Sequence, residues 1–170
     1  MTPLLWKVFR GRSRRWVFNL FPAFAATGGR VTFISDDFRE LRVALPLNWL
    51  TRNYVGTIFG GSLYGAVDPV YMIMLIKALG PEYLVWDKAA TIRFIRPGRE
   101  TLRATFRITA EEVEALRAEV DRAGKVERTY SVELLNAAGV VHAHCDKLLS
   151  IRKRDAQRPD TVISMGEGRT

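Results

Sequence analysis

From Ser62 to Ala78 the chain is apolar on every side, and this segment constrains the fold more than any other. Leu63, Tyr64, Ala66, Val67, Val70, Tyr71, Met72, Ile73, Met74, Leu75 and Ile76 leave no polar face, and Asp68 is the only charge before Lys77. A helix without a polar stripe has to be surrounded by protein. Gly80-Pro81 then stops it.

The rest of the chain must supply the surface that buries this helix. Arg30–Ser35 and Glu40–Leu45 alternate as paired strands, with Asp36-Asp37 in the turn between them. Four more extended segments follow the helix: Val85–Ile95, Thr101–Ile108, Val126–Asn136 and Val140–Arg152. Arg96-Pro97-Gly98 reads as the turn between the first two, and Asn136-Ala137-Ala138-Gly139 as a tight hairpin between the last two. Ala110 to Ala123 is a charged helical stretch opened by the capping pattern Thr109-x-x-Glu112, expected to project as a surface helix. The order predicts an α+β fold: a curved six-stranded antiparallel sheet wrapped around a long central helix, with an extra N-terminal helix. A sheet that half-wraps a helix keeps an open edge. Edge pairing between two copies predicts a homodimer and leaves open whether dimers pair into tetramers.

A length of 170 residues fits one domain, expected over residues 28–154, with an N-terminal segment 1–27 and a polar tail 155–170. The sequence offers no run of some 18 apolar residues, so no transmembrane segment is expected. Cys145 is the only cysteine, which excludes an internal disulfide and a cysteine-rich metal site. His142 and His144 alternate on one strand and read as paired surface residues, because no third ligand has zinc-site spacing. The formal charge of +8 carries no recognition helix or aromatic stacking motif with it, which argues against nucleic acid and fits an anionic small ligand. Its densest part is Lys7, Arg10, Arg12, Arg14 and Arg15. Leu4, Leu5, Val8 and Phe9 recur among these at helical spacing, so the segment reads as one or two amphipathic helices packed on the domain. The alternatives are a membrane-surface helix or an export signal at Ser13-Arg14-Arg15, the latter opposed by Asn19 and Pro22 in its apolar stretch. A cytoplasmic location is expected.

The block that points to chemistry is Asn53-x-x-Gly56-Thr57-x-Phe59-Gly60-Gly61, with Asp68 seven residues beyond Gly61. Gly60 and Gly61 open the apolar helix, where the first N–H groups lack partners and the dipole favours negative charge. Glycine lets a ligand approach that backbone, and a carbonyl placed there would find its developing oxyanion stabilised. The plainer reading is a tight turn into the helix. Asp68 adds weight to the first. A carboxylate within an apolar helix is costly unless hydrogen-bonded or neutralised, and burial would tune it towards general-base work. Pro69 follows and cannot donate to the carbonyl of Gly65, so a kink is expected that presents Asp68 to a cavity. The plainer alternative satisfies Asp68 with the kinked backbone or an interface arginine.

The spacing from Asn53 to Gly60-Gly61 to Asp68, with Ile92-Arg93-Phe94-Ile95-Arg96-Pro97 downstream, resembles hotdog-fold acyl-CoA thioesterases of the phenylacetyl-CoA type. It is similar also to a thioesterase-like branch of that superfamily sharing the run Gly56-Thr57-Ile58-Phe59-Gly60-Gly61-Ser62-Leu63-Tyr64. The resemblance covers roughly Arg30 to Arg152. It implies that Asp68 acts as nucleophile or general base, that Gly61 with Gly60 binds the carbonyl oxygen, and that Asn53 orients the carbonyl or the water. It also implies a site between two subunits and an acyl-CoA substrate, with no cofactor beyond the coenzyme that the substrate carries and no metal. Phe59 stands where the family usually has histidine, which removes a hydrogen bond and offers an apolar pocket wall instead. Phe59, Thr57 and Tyr64 are assigned to substrate binding, and Arg93, Arg96 and Arg99 are candidates for the phosphates of coenzyme A, the plainer reading of each being a solvated strand or turn arginine. The alternative is a non-catalytic binder of acyl-CoA or lipid with the same pocket.

Overall fold

A computed structural model of the chain describes residues 12–154. Leu4, Leu5, Lys7, Val8, Phe9, Arg10 and the tail 155–170 lie outside the described residues. Helices α1 (Arg12–Leu20) and α2 (Pro22–Ala25) lead into strands β1 (Arg30–Ile34) and β2 (Glu40–Leu45). Helices α3 (Gly60–Gly65) and α4 (Val70–Leu79) follow, and then β3 (Tyr83–Phe94) and β4 (Leu102–Arg107). Helix α5 (Ala110–Ala123) and strands β5 (Lys125–Leu135) and β6 (Val141–Lys153) complete the order. The six strands form one sheet in the order β1-β2-β4-β5-β6-β3, antiparallel at every junction. Its concave face closes over α3 and α4. Leu41, Leu45, Leu102, Phe106, Leu149 and Ile151 meet Val70, Met74 and Leu75 in a single core.

The apolar segment 62–78 is helical as expected, but in two pieces. Pro69 has no N–H for the carbonyl of Gly65, and the helix breaks into a turn over residues 66–69. Nor is it enclosed on all sides: Ile76 is 37% exposed, and Met72 and Ile73 are only half-buried, so one flank of α4 is open. Taken together, Gly60–Leu79 is long and apolar enough to cross a membrane by length and composition. Half of it is buried inside the protein, as the core helix of this sheet.

Helix α5 does not project. It buries Val113, Leu116 and Val120, and Arg117 donates from Nη2 to the carbonyls of Ala78 and Leu79 at 2.9 and 3.2 Å, tying it to the C-terminus of α4. The expected cap is present, with the Thr109 hydroxyl accepting from the Glu112 amide at 3.1 Å. The histidines are not a surface pair either. His142 is buried with Nδ1 3.1 Å from the Pro97 carbonyl, while His144 Nε2 lies 2.9 Å from Asp146.

The two sheet edges are treated differently. At β1, Asn19 of α1 mimics a strand, donating to the Val31 carbonyl at 3.1 Å and accepting from the Val31 amide at 2.7 Å. Arg15 donates to the Thr32 carbonyl at 2.6 Å. Phe18 and Phe24, edge to face at 4.9 Å between ring centres, carry α1 and α2 into the common core. Among the described residues strand β3 has no such cover: Lys88 to Ile95 are exposed apart from Ile92, which is half-buried.

Leu75→Ala should destabilise the fold by about 2–5 kcal/mol, because the core around α4 cannot collapse onto the void. Thr109→Ala should cost about 1 kcal/mol by removing a helix cap. Urea unfolding of both variants against the parent checks the ranking.

Candidate functional site

The helix break places Asp68 where its side chain can leave the core. It lines an apolar cleft, and 40% of the side chain is exposed. It is not the solitary carboxylate that the sequence led us to expect. Lys147, on β6, donates to Oδ1 at 2.5 Å, and the Tyr64 hydroxyl, one turn earlier on α3, donates to the same oxygen at 2.6 Å. Among the described residues Oδ2 takes no hydrogen bond. The carboxylate is thus held on one oxygen and free on the other.

Lys147 is the functional candidate that the reading of the sequence passed over. It is 1% exposed, and its Nζ also lies 3.2 Å from Asp87 Oδ1. A bulge between Asp87 and Ala89 gives β3 its register at this point, with Asp87 paired to Leu149 of β6. The signal was present in the alternation of β6: Ala143, Cys145, Leu149 and Ile151 point inward and are buried, so Lys147 has to point inward with them. A charge on the core side of a strand requires an opposite charge. Burial opposes the charge on Lys147, but the hydrogen bond and attraction of Asp68, with Asp87 adding to them, raise its proton affinity above the ordinary lysine value. Burial likewise pushes the Asp87 carboxyl up against the pull of Lys147, and it raises the Tyr64 phenol together with the hydrogen bond to Asp68. Burial pushes the Cys145 thiol up to about 11, which makes it a poor nucleophile.

The glycine turn is a separate locus. Phe59 precedes α3 in extended conformation and no side chain caps the helix start, so the first amides are left to solvent or a ligand. Neither Gly60 nor Gly61 has positive φ. What glycine supplies here is clearance: a Cβ on Gly60 would come 3.1 Å from the Phe94 ring, and one on Gly61 would strike the ring of Phe59. Phe59 itself is 57% exposed. The Ile58 amide donates to the Gly98 carbonyl at 2.8 Å, which brings the turn after β3 against this loop. Arg93, Arg96 and Arg99 are therefore on the strand and turn that flank the glycines. Arg93 faces Asp146 at 3.6 Å and Arg96 donates to the Val141 carbonyl at 3.0 Å.

Asn53 and Thr57 are turned to each other. The Asn53 carboxamide accepts from the amides of Val55 and Thr57 and donates to the Thr57 hydroxyl, all at 2.9–3.1 Å. Thr57 is buried. Gly56, at φ 77°, makes the tight turn these bonds enclose. Both residues shape the loop that delivers the glycines. The structure thus joins Tyr64 to Asp68, and Phe59 to Gly60-Gly61, while Asn53 and Thr57 support the loop.

The family model described as "Domain of unknown function (DUF4442)" matches residues 11–151. Among solved structures, a Pseudomonas aeruginosa protein of unknown function described as a probable thioesterase aligns with a TM-score of 0.73 at 23% identity, over 82% of this chain and 93% of that one. A protein of unknown function from Chlorobaculum tepidum aligns with a TM-score of 0.68 at 19% identity, over 84% and 94%. A thioesterase from Haemophilus influenzae gives 0.65 at 12% identity, over 88% and 96%. The shared architecture is the hotdog fold. No match is found among curated protein sequences.

Because Lys147 binds its proton more tightly folded than unfolded, its contribution to stability is fully present below the ordinary lysine value of 10.5 and is lost as pH rises through the higher folded value. Lys147→Met should flatten this alkaline loss, read as the denaturation midpoint against pH. Lys147→Ala at neutral pH should cost about 3 kcal/mol, the low end for breaking a buried pair, since Asp68 keeps contact with solvent.

Proposed function

The chain belongs to the DUF4442 family, and from that membership, the hotdog architecture and the half-satisfied carboxylate of Asp68 we propose that it hydrolyses thioesters of the acyl-CoA class. The observation that carries the reading is Asp68: an anion oriented by Lys147 and Tyr64 on Oδ1, with Oδ2 unengaged beside an apolar cleft. Such a group can deliver or activate the attacking oxygen. Water adds its oxygen to the carbonyl carbon, the C–S bond breaks, and the products are a carboxylic acid and a thiol. The uncapped amides at Gly60-Gly61 suit the oxyanion formed on the way. Arg93, Arg96 and Arg99 beside the glycines suit the phosphates of coenzyme A.

Within one chain the glycines and Asp68 cannot serve the same carbonyl. Gly61 opens α3 and Asp68 lies in the turn beyond its end, seven residues on and about 10 Å away at 1.5 Å per residue. The reading therefore requires a homodimer, with the glycine turn of one copy facing Asp68 of the other. The bare edge of β3 supports this, because an unpaired strand edge is a template for a second one.

Asp68→Asn should lower kcat/KM by about 10²–10⁴ in a thiol-release assay over an acyl-CoA panel, the usual range for removing a positioned acid–base group. If no thioester is cleaved by the parent but acyl-CoA binds, the protein is a binder, and Phe59 in the histidine position is its mark. Co-expression of Asp68→Asn with Gly61→Val tests the composite site. Each variant alone should be inactive, and the mixed population should recover about a quarter of the parent rate, since half the dimers are hybrid with one intact site each. No recovery would place the site within one chain.

A further inference from the structure

A cleft of about 440 Å³ lies between the two N-terminal helices and the broken central helix. Its walls are Val17, Phe18 and Phe21 on one side and Met72 and Ile73 on the other. Among the described residues only two polar side chains reach it, Thr27 and Asp68. The Thr27 hydroxyl is already spent, donating to the Phe24 carbonyl at 2.7 Å and accepting from the Gly29 amide at 3.1 Å. Asp68 is therefore the one side chain with unused hydrogen-bonding capacity in an otherwise greasy space. Gly65 matters to its shape: a Cβ there would meet Thr27 Cγ2 at 2.6 Å and push the corner after α2 off the helix.

We propose that this cleft is an acyl chamber that takes an unbranched aliphatic chain of medium length, with the thioester carbonyl stationed at Asp68. At about 30 Å³ per water-sized group the space holds roughly a dozen methylenes, and fewer where it opens to solvent. The N-terminal helices, which precede the hotdog sheet, then form one wall of the substrate site in addition to covering the β1 edge. This deepens the hydrolase reading and rests on it for the placement of the carbonyl, but the chamber can be tested without turnover.

The test is calorimetric binding of acetyl-, butyryl-, octanoyl- and dodecanoyl-CoA, and of phenylacetyl-CoA, to full-length protein carrying Asp68→Asn. Affinity should rise about fourfold per added methylene, equivalent to about 0.8 kcal/mol each, and level off near eight to twelve carbons. Ile73→Trp added to this background should flatten the series by filling the cleft. Ala23→Trp, a substitution at the exposed rim of the opposite wall, should do the same and serves if Ile73→Trp fails to fold. A chain-length series that is flat in the background protein, a preference for phenylacetyl-CoA, or a slope unchanged by both tryptophans would overturn the chamber. Chain-length-dependent binding without hydrolysis by the parent keeps the chamber and removes the hydrolase reading; hydrolysis indifferent to chain length does the reverse.

Discussion

The ion pair between Lys147 and Asp68 ties the two layers of this protein together at the point where a lysine enters the core. Lys147 lies in the middle of β6, with strands paired on both sides, and cannot reach water without distorting the sheet. Asp87 answers it from the neighbouring strand, and the break at Pro69 lets the helix layer present a second carboxylate, Asp68. Replacing both members together by apolar residues of similar volume would leave a good core, since buried pairs are often neutral in stability against hydrophobic replacements, whereas removing one strands the other's charge. The pair is better understood through what it does to Asp68. It fixes one oxygen, supplies a positive charge beside the other, and sets the carboxylate at the mouth of a cleft.

The edges of the sheet carry the same economy of means. At β1, side chains of α1 take the place of a neighbouring strand, so that edge is closed by the chain itself. At β3 the described residues lay no comparable cover over the edge, and Lys88 to Ile95 are exposed apart from Ile92. Two identical bare edges would satisfy each other by a twofold axis. The N-terminal helices leave β3 as the exposed edge and form, on their inner side, a wall of the apolar cleft.

Much of the architecture was legible because its signals are local. The alternation of Glu40–Leu45, the Thr109 cap and the featureless apolarity of Ser62–Ala78 each fix an element with little help from elsewhere, and the strand and helix order then leaves few folds to choose from. Pro69 announced the break, though not that the helix would part in two. The site was less legible, for a physical reason. Asp68 stood out as a lone charge within a helix, but the residue that answers it is 79 positions away, and a lysine in a strand ordinarily reads as solvated. Lys147 becomes conspicuous only when β6 is assigned a face, for it then interrupts Ala143, Cys145, Leu149 and Ile151. Asn53 misled in the opposite way. Its type suited a carbonyl, but an asparagine four residues before a threonine in a glycine turn can equally satisfy the loop, and here it does.

The separation of the two chemical loci along α3 has a consequence for how activity would be governed. If the oxyanion amides and the carboxylate belong to different chains, the site exists only in the dimer, and the catalytic competence of the protein follows its concentration as well as its fold. The cleft behind Asp68, by contrast, is built wholly within one chain, so a free protomer could hold an acyl chain that it cannot cleave. Binding would then precede competence: an acyl group seated against α4 covers the exposed flank of Met72 and Ile73, and the thioester it leaves at Asp68 waits for the amides of a second copy. On this arrangement Phe59, large and exposed beside Gly61, belongs to the surface that must meet the partner and its substrate. A histidine there would add a hydrogen bond to the turn; phenylalanine adds apolar area, trading polar assistance to the reaction for apolar contact in the assembly that the reaction needs.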